Sequence, residues 1–201
     1  MGRCVIISGG EIRKSDICLN SNDFVICADS GYASARKFNI KVDLLVGDFD
    51  SLQTLPSKIE IVKLNPIKDD TDTLSAIKEG IKRGYKEFLL YGALGKRIEH
   101  SLANLSLLIF LKNQGFAGKI VHQGRNYVIL KDESITLKRK KTGYLSIFAI
   151  SPICEGVYEK NLKYELDNYT LTNEFPIGVD NEYINLSPTI EVKNGTILLI
   201  Y

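Results

Sequence analysis

The sequence predicts an α/β N-terminal domain with a mainly parallel open sheet, followed by a smaller all-β sandwich domain. Over roughly the first 120 residues, short continuous apolar runs alternate with helical patterns, and such runs are typical of strands buried on both faces of a sheet. Beyond that point the segments are short, rich in β-forming residues and separated by turn residues, without a helical period. We therefore expect two domains, residues 1–122 and residues 123–201.

The strands and helices of the first domain follow from this alternation. We expect strands at residues 4–7, 24–28, 43–46, 59–64 and 88–91. A helix is predicted over residues 72–83, with Thr71 or Asp72 as its N-cap and Gly84 at its end. A second helix, over residues 99–113, is apolar nearly all round, so we expect it to be mostly buried.

The second domain is expected to contain only short strands. The β-rich segments are residues 126–130, 134–137, 144–149, 169–171, 183–186, 189–192 and 196–200. Asn194 and Gly195 lie between the last two segments. An Asn-Gly pair between two β-segments is typical of a two-residue hairpin turn, so we predict a hairpin at this position.

The composition excludes several classes of protein. Hydrophobic residues make up 44% and charged residues 25% of the chain, which excludes intrinsic disorder. Lys and Arg number 26 against 24 Asp and Glu, so binding of nucleic acid by bulk charge is not expected. No apolar run reaches the ~20 residues of a membrane span. The four cysteines form no CxxC pair, and we expect reduced thiols in a cytoplasmic protein without a membrane partner.

Aspartates are concentrated where predicted strands end. Six of the 12 aspartates lie between residues 43 and 72. Asp48 and Asp50 directly follow a strand, and Asp29 ends another. Residues just past the carboxyl ends of parallel strands face one crevice. Converging carboxylates need a cation, and Mg²⁺ bound by carboxylates completes its coordination with substrate phosphates. The sequence therefore predicts a Mg²⁺ site at this edge.

A glycine-bearing loop joins the strand at residues 88–91 to the second helix. Gly92 and Gly95 allow backbone N–H groups and the helix N-terminus to approach an anion. Lys96 and Arg97 add positive charge where phosphates would lie, and the arginine can bind phosphate bidentately. The loop lacks the GxxxxGK[ST] spacing of a Walker A motif. His100 is either an acid–base group or a residue that fixes the loop through a hydrogen bond.

These motifs, in their order and spacing, resemble the thiamine pyrophosphokinase family. They are ADSG (28–31), GDFDS (47–51), KDDTD (68–72) and GKRIEH (95–100), and two later blocks, LKYEL (162–166) and GVDNE (178–182), resemble the family's C-terminal blocks. The resemblance covers nearly the whole chain. It implies transfer of the pyrophosphoryl group of ATP to the hydroxyethyl group of thiamine, giving thiamine diphosphate and AMP. It also implies a homodimer with active sites shared between subunits.

The resemblance implies roles for individual residues. Asp48, Asp50 and Asp72 would be catalytic and would bind Mg²⁺ and the transferring phosphates, and Asp180 and Asn181 would bind thiamine. The nucleotide would be bound by Asp29, Ser30, Gly31, Asp69, Thr71, Gly92, Arg97 and His100. Residues 1–122 would form the catalytic domain that binds ATP and Mg²⁺, and residues 123–201 the thiamine-binding and dimerisation domain. A carboxylate would accept the proton of the thiamine hydroxyl, and the sequence leaves open which one.

The chain departs from the family pattern in three places. The family usually has Gly-Arg-x-Asp-His where this chain has Lys-Arg-Ile-Glu-His (96–100). Asp180 stands in place of a serine, and a carboxylate there suits the cationic thiazolium of thiamine. Asn161 stands in place of a glycine, which a left-handed turn tolerates.

Three alternative functions fit parts of the pattern. A pyrophosphokinase of the same fold could act on another hydroxyalkyl heterocycle, such as a pterin. Asp48 and Asp50 resemble a haloacid dehalogenase pair, but they follow a later strand than in that class and precede Ser51. A Ca²⁺-binding module is disfavoured because the chain has no EF-hand loop.

Overall fold

The computed structural model describes residues 2–48, 56, 58–65 and 70–201. The chain divides into two compact units, one ending at Gly124 and the other spanning Arg125–Tyr201. The fold class predicted from the sequence is confirmed, since helices and a parallel sheet are followed by a β-rich unit. No helix in the described ranges is both long and apolar enough to cross a membrane.

The sheet of the first unit is parallel throughout its described strands. The strands are β1 (Cys4–Ile7), β2 (Phe24–Ala28), β3 (Leu44–Gly47), β4 (Glu60–Lys63), β5 (Glu87–Tyr91) and β6 (Ala117–His122). Their order across the sheet is β4-β3-β2-β1-β5-β6. Each apolar run predicted as a strand forms one, with ends shifted by at most one residue, and β6 is an additional strand. Strands β1 and β3 are buried along their whole length, which explains their continuous apolar sequence.

Three α-helices connect strands of the first unit in the described part of the chain, and a short 3₁₀ helix (Lys14–Asp16) lies between β1 and β2. The α-helices are α1 (Gly31–Lys37), α2 (Asp72–Lys82) and α3 (Ile98–Asn113). The Thr71 side chain caps α2 by accepting a hydrogen bond from the Leu74 N–H at 3.2 Å. Helix α2 packs close to the sheet at Gly80, where an added Cβ would lie 2.7 Å from the Cys4 sulfur. A glycine is therefore needed at this helix–sheet contact.

The prediction that α3 is mostly buried is wrong. The buried residues of α3 are Asn104, Leu107, Leu108 and Leu111. The side chains of Leu108 and Leu111 pack against Gly118 of β6, whose hypothetical Cβ would meet both. On the rest of the helix, Ile98 is 72% exposed and Leu102 is 59% exposed. Only one face of α3 packs against the sheet. The other face is partly exposed, although it is also rich in apolar residues.

The second unit is antiparallel and is arranged around one long strand. Its strands are β7 (Arg125–Thr136), β8 (Tyr144–Ala149), β9 (Ile153–Lys160), β10 (Leu166–Thr172), β11 (Asn181–Glu182) and β12 (Thr189–Ile200). Strand β12 pairs with β7, with β9 through its first half and with β8 through its second half. Strand β10 extends the sheet beyond β9, and β11 pairs with β8. The alternate side chains of these strands form one apolar core.

The predicted hairpin at Asn194 and Gly195 is wrong, because β12 continues through both residues. The register of β12 against β7 shifts between Val192 and Thr196, which is a local bulge. Gly195 has φ +123° and donates its N–H to the Asp132 carboxylate at 2.7 Å. Pairing with strands on both sides of β12 therefore outweighs the local turn preference of Asn-Gly.

Other expected strands of this unit also differ from the structure. Residues 126–130 and 134–137 fall largely within the single strand β7, and β9 is an additional strand. The expected strand at residues 183–186 is wrong. Only an isolated bridge forms there, between Tyr183 and Leu162.

One ionisable side chain is enclosed in the second unit. Glu159 on β9 is 1% exposed. One of its carboxylate oxygens accepts a hydrogen bond from the Asn181 side chain at 3.3 Å, and the other has no partner within the described residues. Burial, only partly offset by the Asn181 hydrogen bond, raises the pKa of Glu159 from 4.5 to about 7.

This pKa predicts a pH-dependent stability of the second unit. Between pH 4.5 and 7 the folded chain binds more protons than the unfolded chain, so the free energy of unfolding falls as the pH rises through that window. The loss should amount to up to about 3 kcal/mol. Urea unfolding at pH 5 and pH 8 measures it, and Glu159→Gln should remove most of the difference.

Glu155→Gln is the matched control, since Glu155 is exposed on the same strand. It should leave the pH dependence as in the unaltered chain. An unchanged pH dependence in Glu159→Gln would show that the pKa of Glu159 is not raised by folding.

Candidate functional site

A cavity of about 430 Å³ lies at the carboxyl ends of the central strands of the first unit. Its described lining is Ser8, Gly9, Gly10, Ala28, Asp29, Ser30, Asp70, Thr71, Asp72, Thr73, Gly92, Ala93, Gly95, Lys96, Arg97, His100, Ala103 and Asn104. These residues end or follow β1, β2 and β5, or lie just before or within the first two turns of α2 and α3. The crevice expected at this edge of the sheet is therefore present.

The segments that follow β1 and β5 meet backbone to backbone. The Gly10 N–H donates to the Gly92 carbonyl oxygen at 2.7 Å, and the Glu11 N–H donates to the Leu94 carbonyl oxygen at 3.0 Å. A Cβ on Gly10 would lie 2.4 Å from the Gly92 oxygen. Gly92 itself has φ +64°. Glycine is required at both positions, because a side chain would separate the two segments and change the cavity wall.

The start of α2 contributes hydroxyl and carboxylate groups. Thr73 is buried, and its hydroxyl is 2.9 Å from the hydroxyl of Ser8, so this contact joins α2 to the end of β1. Asp72 is the first residue of α2 and lines the cavity. Asp70 also lines the cavity, where its carboxylate pairs with the Lys78 ammonium at 2.5 Å.

The end of β2 places Asp29 at the cavity in an unusual backbone conformation. Asp29 has φ +44°, a left-handed conformation that aspartate adopts more readily than most residues. Its N–H donates to the Val46 carbonyl oxygen of β3 at 2.9 Å. Gly31 begins α1 close to the end of β1, and a Cβ added there would lie 2.0 Å from the Ile7 carbonyl oxygen. Gly31 thus allows close packing but does not itself line the cavity.

Basic side chains lie on the side of the cavity formed by the loop before α3. Lys96, Arg97 and His100 are exposed there. The Arg97 guanidinium contacts the Glu99 carboxylate at 2.6 Å. The pKa of Glu99 is lowered, mainly because its carboxylate accepts a hydrogen bond from the Glu99 backbone N–H and secondly because it accepts one from Arg97. Behind the loop, the Asn104 side chain donates to the Ala93 carbonyl oxygen at 2.7 Å.

The structure brings together seven of the site residues predicted for the first unit. Asp29, Ser30, Thr71, Asp72, Gly92, Arg97 and His100 line the cavity. Asp48 follows β3, the strand next to β2, and is not among the lining residues. Asp50 and Asp69 lie outside the described residues.

The two predicted thiamine-binding residues lie side by side in the second unit. Asn181 is 3% exposed. Its side-chain oxygen accepts from the N–H groups of Tyr164 and Glu182, and its amide nitrogen donates to the Tyr164 carbonyl oxygen and to Glu159. The Asn181 amide is therefore committed to holding its own unit together. Asp180 has φ +56°, and its N–H donates to the Ser146 hydroxyl at 3.0 Å.

Several cavity residues were not assigned a role from the sequence. Ser8, Thr73 and Asn104 are buried polar residues that line the cavity. For Asn104, the sequence does carry a signal, which is a lone amide side chain within an apolar helix. A buried amide needs a hydrogen-bond partner, so its presence there indicates a polar contact. The contact between Ser8 and Thr73 depends on the order of strands in the sheet, for which the sequence carries no local signal.

The cavity offers oxygen ligands suited to Mg²⁺. Among the described residues, no group of three or more His, Cys, Asp or Glu side chains is already arranged as a metal site. Asp29, Asp72, Ser8 and Thr71, whose side chains carry carboxylate or hydroxyl oxygens, nevertheless line the same space. Mg²⁺ commonly binds through one or two carboxylates plus substrate phosphates, so this donor set fits the ion.

Comparisons with known proteins agree with this architecture. Among solved structures, the chain is similar to thiamine pyrophosphokinase from Bacillus subtilis, with a TM-score of 0.86, 20% identity, and coverage of 98% of this chain and 97% of that one. A thiamin pyrophosphokinase family protein from Enterococcus faecalis gives a TM-score of 0.81, 25% identity, and coverage of 99% and 98%. Thiamin pyrophosphokinase from Candida albicans gives a TM-score of 0.77, 14% identity, and coverage of 99% and 88%. No curated protein matched.

Family models match both units of the chain. The model described as thiamin pyrophosphokinase, catalytic domain, matches residues 16–118. The model described as thiamin pyrophosphokinase, vitamin B1 binding domain, matches residues 132–197. The first match alone spans more than half of the chain, and the second lies within the β-rich unit. The chain therefore belongs to the thiamin pyrophosphokinase family of enzymes.

Proposed function

We propose that the protein transfers the pyrophosphoryl group of ATP to the hydroxyethyl group of thiamine, giving thiamine diphosphate and AMP. The observation that carries this proposal is the cavity at the carboxyl ends of β1, β2 and β5, where carboxylates and basic side chains lie around one space. Donor and product are polyanions, so the main catalytic requirement is to neutralise and align phosphates. Membership of the thiamin pyrophosphokinase family supports thiamine as the acceptor.

The two sides of the cavity have different proposed roles. Arg97, His100 and the backbone around Gly92 bind the phosphates, while Asp29, Ser30 and Thr71 form the rest of the nucleotide site, with Asp69. Gly31 contributes indirectly, by allowing the close packing at the start of α1. Asp48, Asp50 and Asp72 bind Mg²⁺. When bound, Mg²⁺ neutralises phosphate charge and orients the transferring group. The first unit accordingly is the catalytic domain.

The hydroxyl of thiamine must lose its proton as it attacks the β-phosphorus of ATP. A carboxylate beside the hydroxyl accepts this proton, because a primary alcohol is a weak nucleophile. The candidates are Asp48, Asp50 and Asp72. The bond between the α- and β-phosphates breaks and AMP leaves.

The second unit is proposed to bind thiamine and to form the dimer. Asp180 supplies a negative charge that attracts the thiazolium ring. Asn181 contributes indirectly, since its amide is occupied by the backbone of Tyr164 and Glu182 and thereby holds these segments in position. The proposal includes a cytoplasmic homodimer with active sites shared between subunits. A pterin or another hydroxyalkyl heterocycle is the alternative acceptor, and assays of thiamine beside hydroxymethylpterin separate the two.

The carboxylate at position 72 provides the direct test of this function. Asp72→Asn removes a proposed Mg²⁺ ligand with almost no change of shape. It should lower kcat about 100-fold or more and raise the Mg²⁺ concentration needed for half-maximal rate. Formation of AMP and thiamine diphosphate from ATP, Mg²⁺ and thiamine measures both effects.

Glu87→Gln is the matched control for Asp72→Asn. Glu87 is an exposed carboxylate at the start of β5, and hence at the opposite edge of the same parallel sheet. This variant should keep wild-type kinetics. Turnover near the wild-type value in Asp72→Asn at saturating Mg²⁺ would contradict the assignment of Asp72.

The negative charge of Asp180 should affect the KM for thiamine and not the KM for ATP. A partly solvated ion pair is worth about 1 kcal/mol, so Asp180→Ser should raise the thiamine KM about fivefold. The ATP KM should stay unchanged, and the effect should shrink in high salt. Steady-state kinetics at low and high ionic strength provide the measurement.

Asp180→Asn separates charge from backbone conformation. Asn keeps the size of the side chain and tolerates the left-handed φ of +56°, so it should raise the thiamine KM as much as Asp180→Ser does. A lowered kcat with an unaltered thiamine KM in both variants would mean that Asp180 does not attract the acceptor.

A further inference from the structure

Lys96 is held in a backbone conformation that lysine rarely adopts. Its φ is +56°, in the left-handed region that favours glycine. Lys96 lies between Gly95 and the start of α3, and its side chain is exposed at the cavity. Left-handed non-glycine residues cost backbone free energy and are concentrated at ligand-binding sites. The conformation of Lys96 therefore requires a compensating interaction.

The ammonium group of Lys96 reaches across the cavity wall to the segment after β1. It donates a hydrogen bond to the Gly9 carbonyl oxygen at 2.6 Å. This contact is not needed to join the two segments, because Gly10 and Glu11 already donate backbone hydrogen bonds to Gly92 and Leu94. An ammonium has three N–H donors, and the Gly9 carbonyl uses one of them. The contact thus holds the charged group at the cavity with donors to spare.

Among the described residues, the Lys96 ammonium forms no salt bridge with a carboxylate, whereas two other charged residues at the cavity do have an ionic partner. Arg97 is paired with Glu99, and Asp70 is paired with Lys78. Within the part of the chain that the structure describes, the only hydrogen bond of the Lys96 ammonium goes to a neutral carbonyl. A positive charge beside a glycine-bearing loop and a helix N-terminus attracts an anion.

We propose that Lys96 is a nucleotide-binding residue whose ammonium, positioned by the Gly9 carbonyl, donates its remaining N–H groups to a phosphate oxygen of a nucleoside triphosphate. The assignment rests on the proposed function, since the nucleotide is the polyanion that the cavity is proposed to bind. It explains why a lysine is kept at a left-handed position, and it gives the cavity a cation that is not already neutralised by a carboxylate.

Direct binding of a non-hydrolysable ATP analogue with Mg²⁺ tests this role independently of turnover. Lys96→Met removes the charge and should raise the Kd of the analogue about tenfold. Lys96→Arg should stay within about threefold of the wild type, because it keeps a cationic donor. Adenosine, which has no phosphate, should bind all variants equally. Isothermal titration calorimetry at low and high salt measures these affinities.

Two controls separate phosphate binding from backbone strain and from net charge. Lys96→Gly relaxes the left-handed backbone, so it should unfold at higher temperature yet bind the analogue as weakly as Lys96→Met. Asn39→Gly relaxes a left-handed residue with φ +55° after α1, and Lys86→Met removes a charge just before β5, at the opposite edge of the sheet. Both controls should bind the analogue as the wild type does.

Wild-type affinity for the ATP analogue in Lys96→Met or Lys96→Gly would overturn the assignment. An equal loss of affinity for adenosine and for the analogue would also overturn it, since the residue would then act on the fold of the loop. The proposed function fails separately, if the wild-type enzyme forms no thiamine diphosphate, because the binding measurements do not depend on transfer.

Discussion

The cavity depends on the close approach of two backbone segments, the one after β1 and the one after β5. At Gly10 and Gly92 the segments are joined by a 2.7 Å hydrogen bond, and a Cβ on Gly10 would fall 2.4 Å from the Gly92 oxygen. This contact leaves the carboxyl edge of the sheet open between the segments and the start of α2. The parallel sheet then determines which side chains face the opening, because the ends of β1, β2 and β5 lie at one edge.

The distribution of charge around the opening explains how one cavity can serve both a metal ion and a polyphosphate. Carboxylates come from the end of β2 and the start of α2, whereas the basic residues come from the loop before α3. Several of these charges are already paired, as in Arg97 with Glu99 and Asp70 with Lys78. Exposed ion pairs of this kind are weak, so either side chain can leave its partner and bind a ligand. Lys96 instead donates a hydrogen bond to the neutral carbonyl of Gly9.

The sequence predicted features that depend on strong local or periodic signals. The strands of the first unit follow from apolar runs buried on both faces, and the N-cap of α2, predicted at Thr71 or Asp72, is Thr71. Features that depend on tertiary pairing were missed. The Asn-Gly bulge at Gly195 is held by strands on both sides of β12, and the exposure of Leu102 is set by which face of α3 meets the sheet. Motif spacing singled out Asp29, Asp72 and Arg97, which line the cavity, but it gave no sign of the contact between Ser8 and Thr73.

The central claim is that the carboxyl edge of the parallel sheet binds a divalent metal together with the phosphates of ATP. Crystals grown with Mn²⁺ and a non-hydrolysable ATP analogue test it directly through the anomalous signal of manganese. The account predicts a manganese peak in the cavity, about 2 Å from a carboxylate oxygen of Asp72 and from phosphate oxygens of the analogue. A nucleotide bound outside the cavity, or a metal that contacts none of the aspartates at this edge, would contradict it.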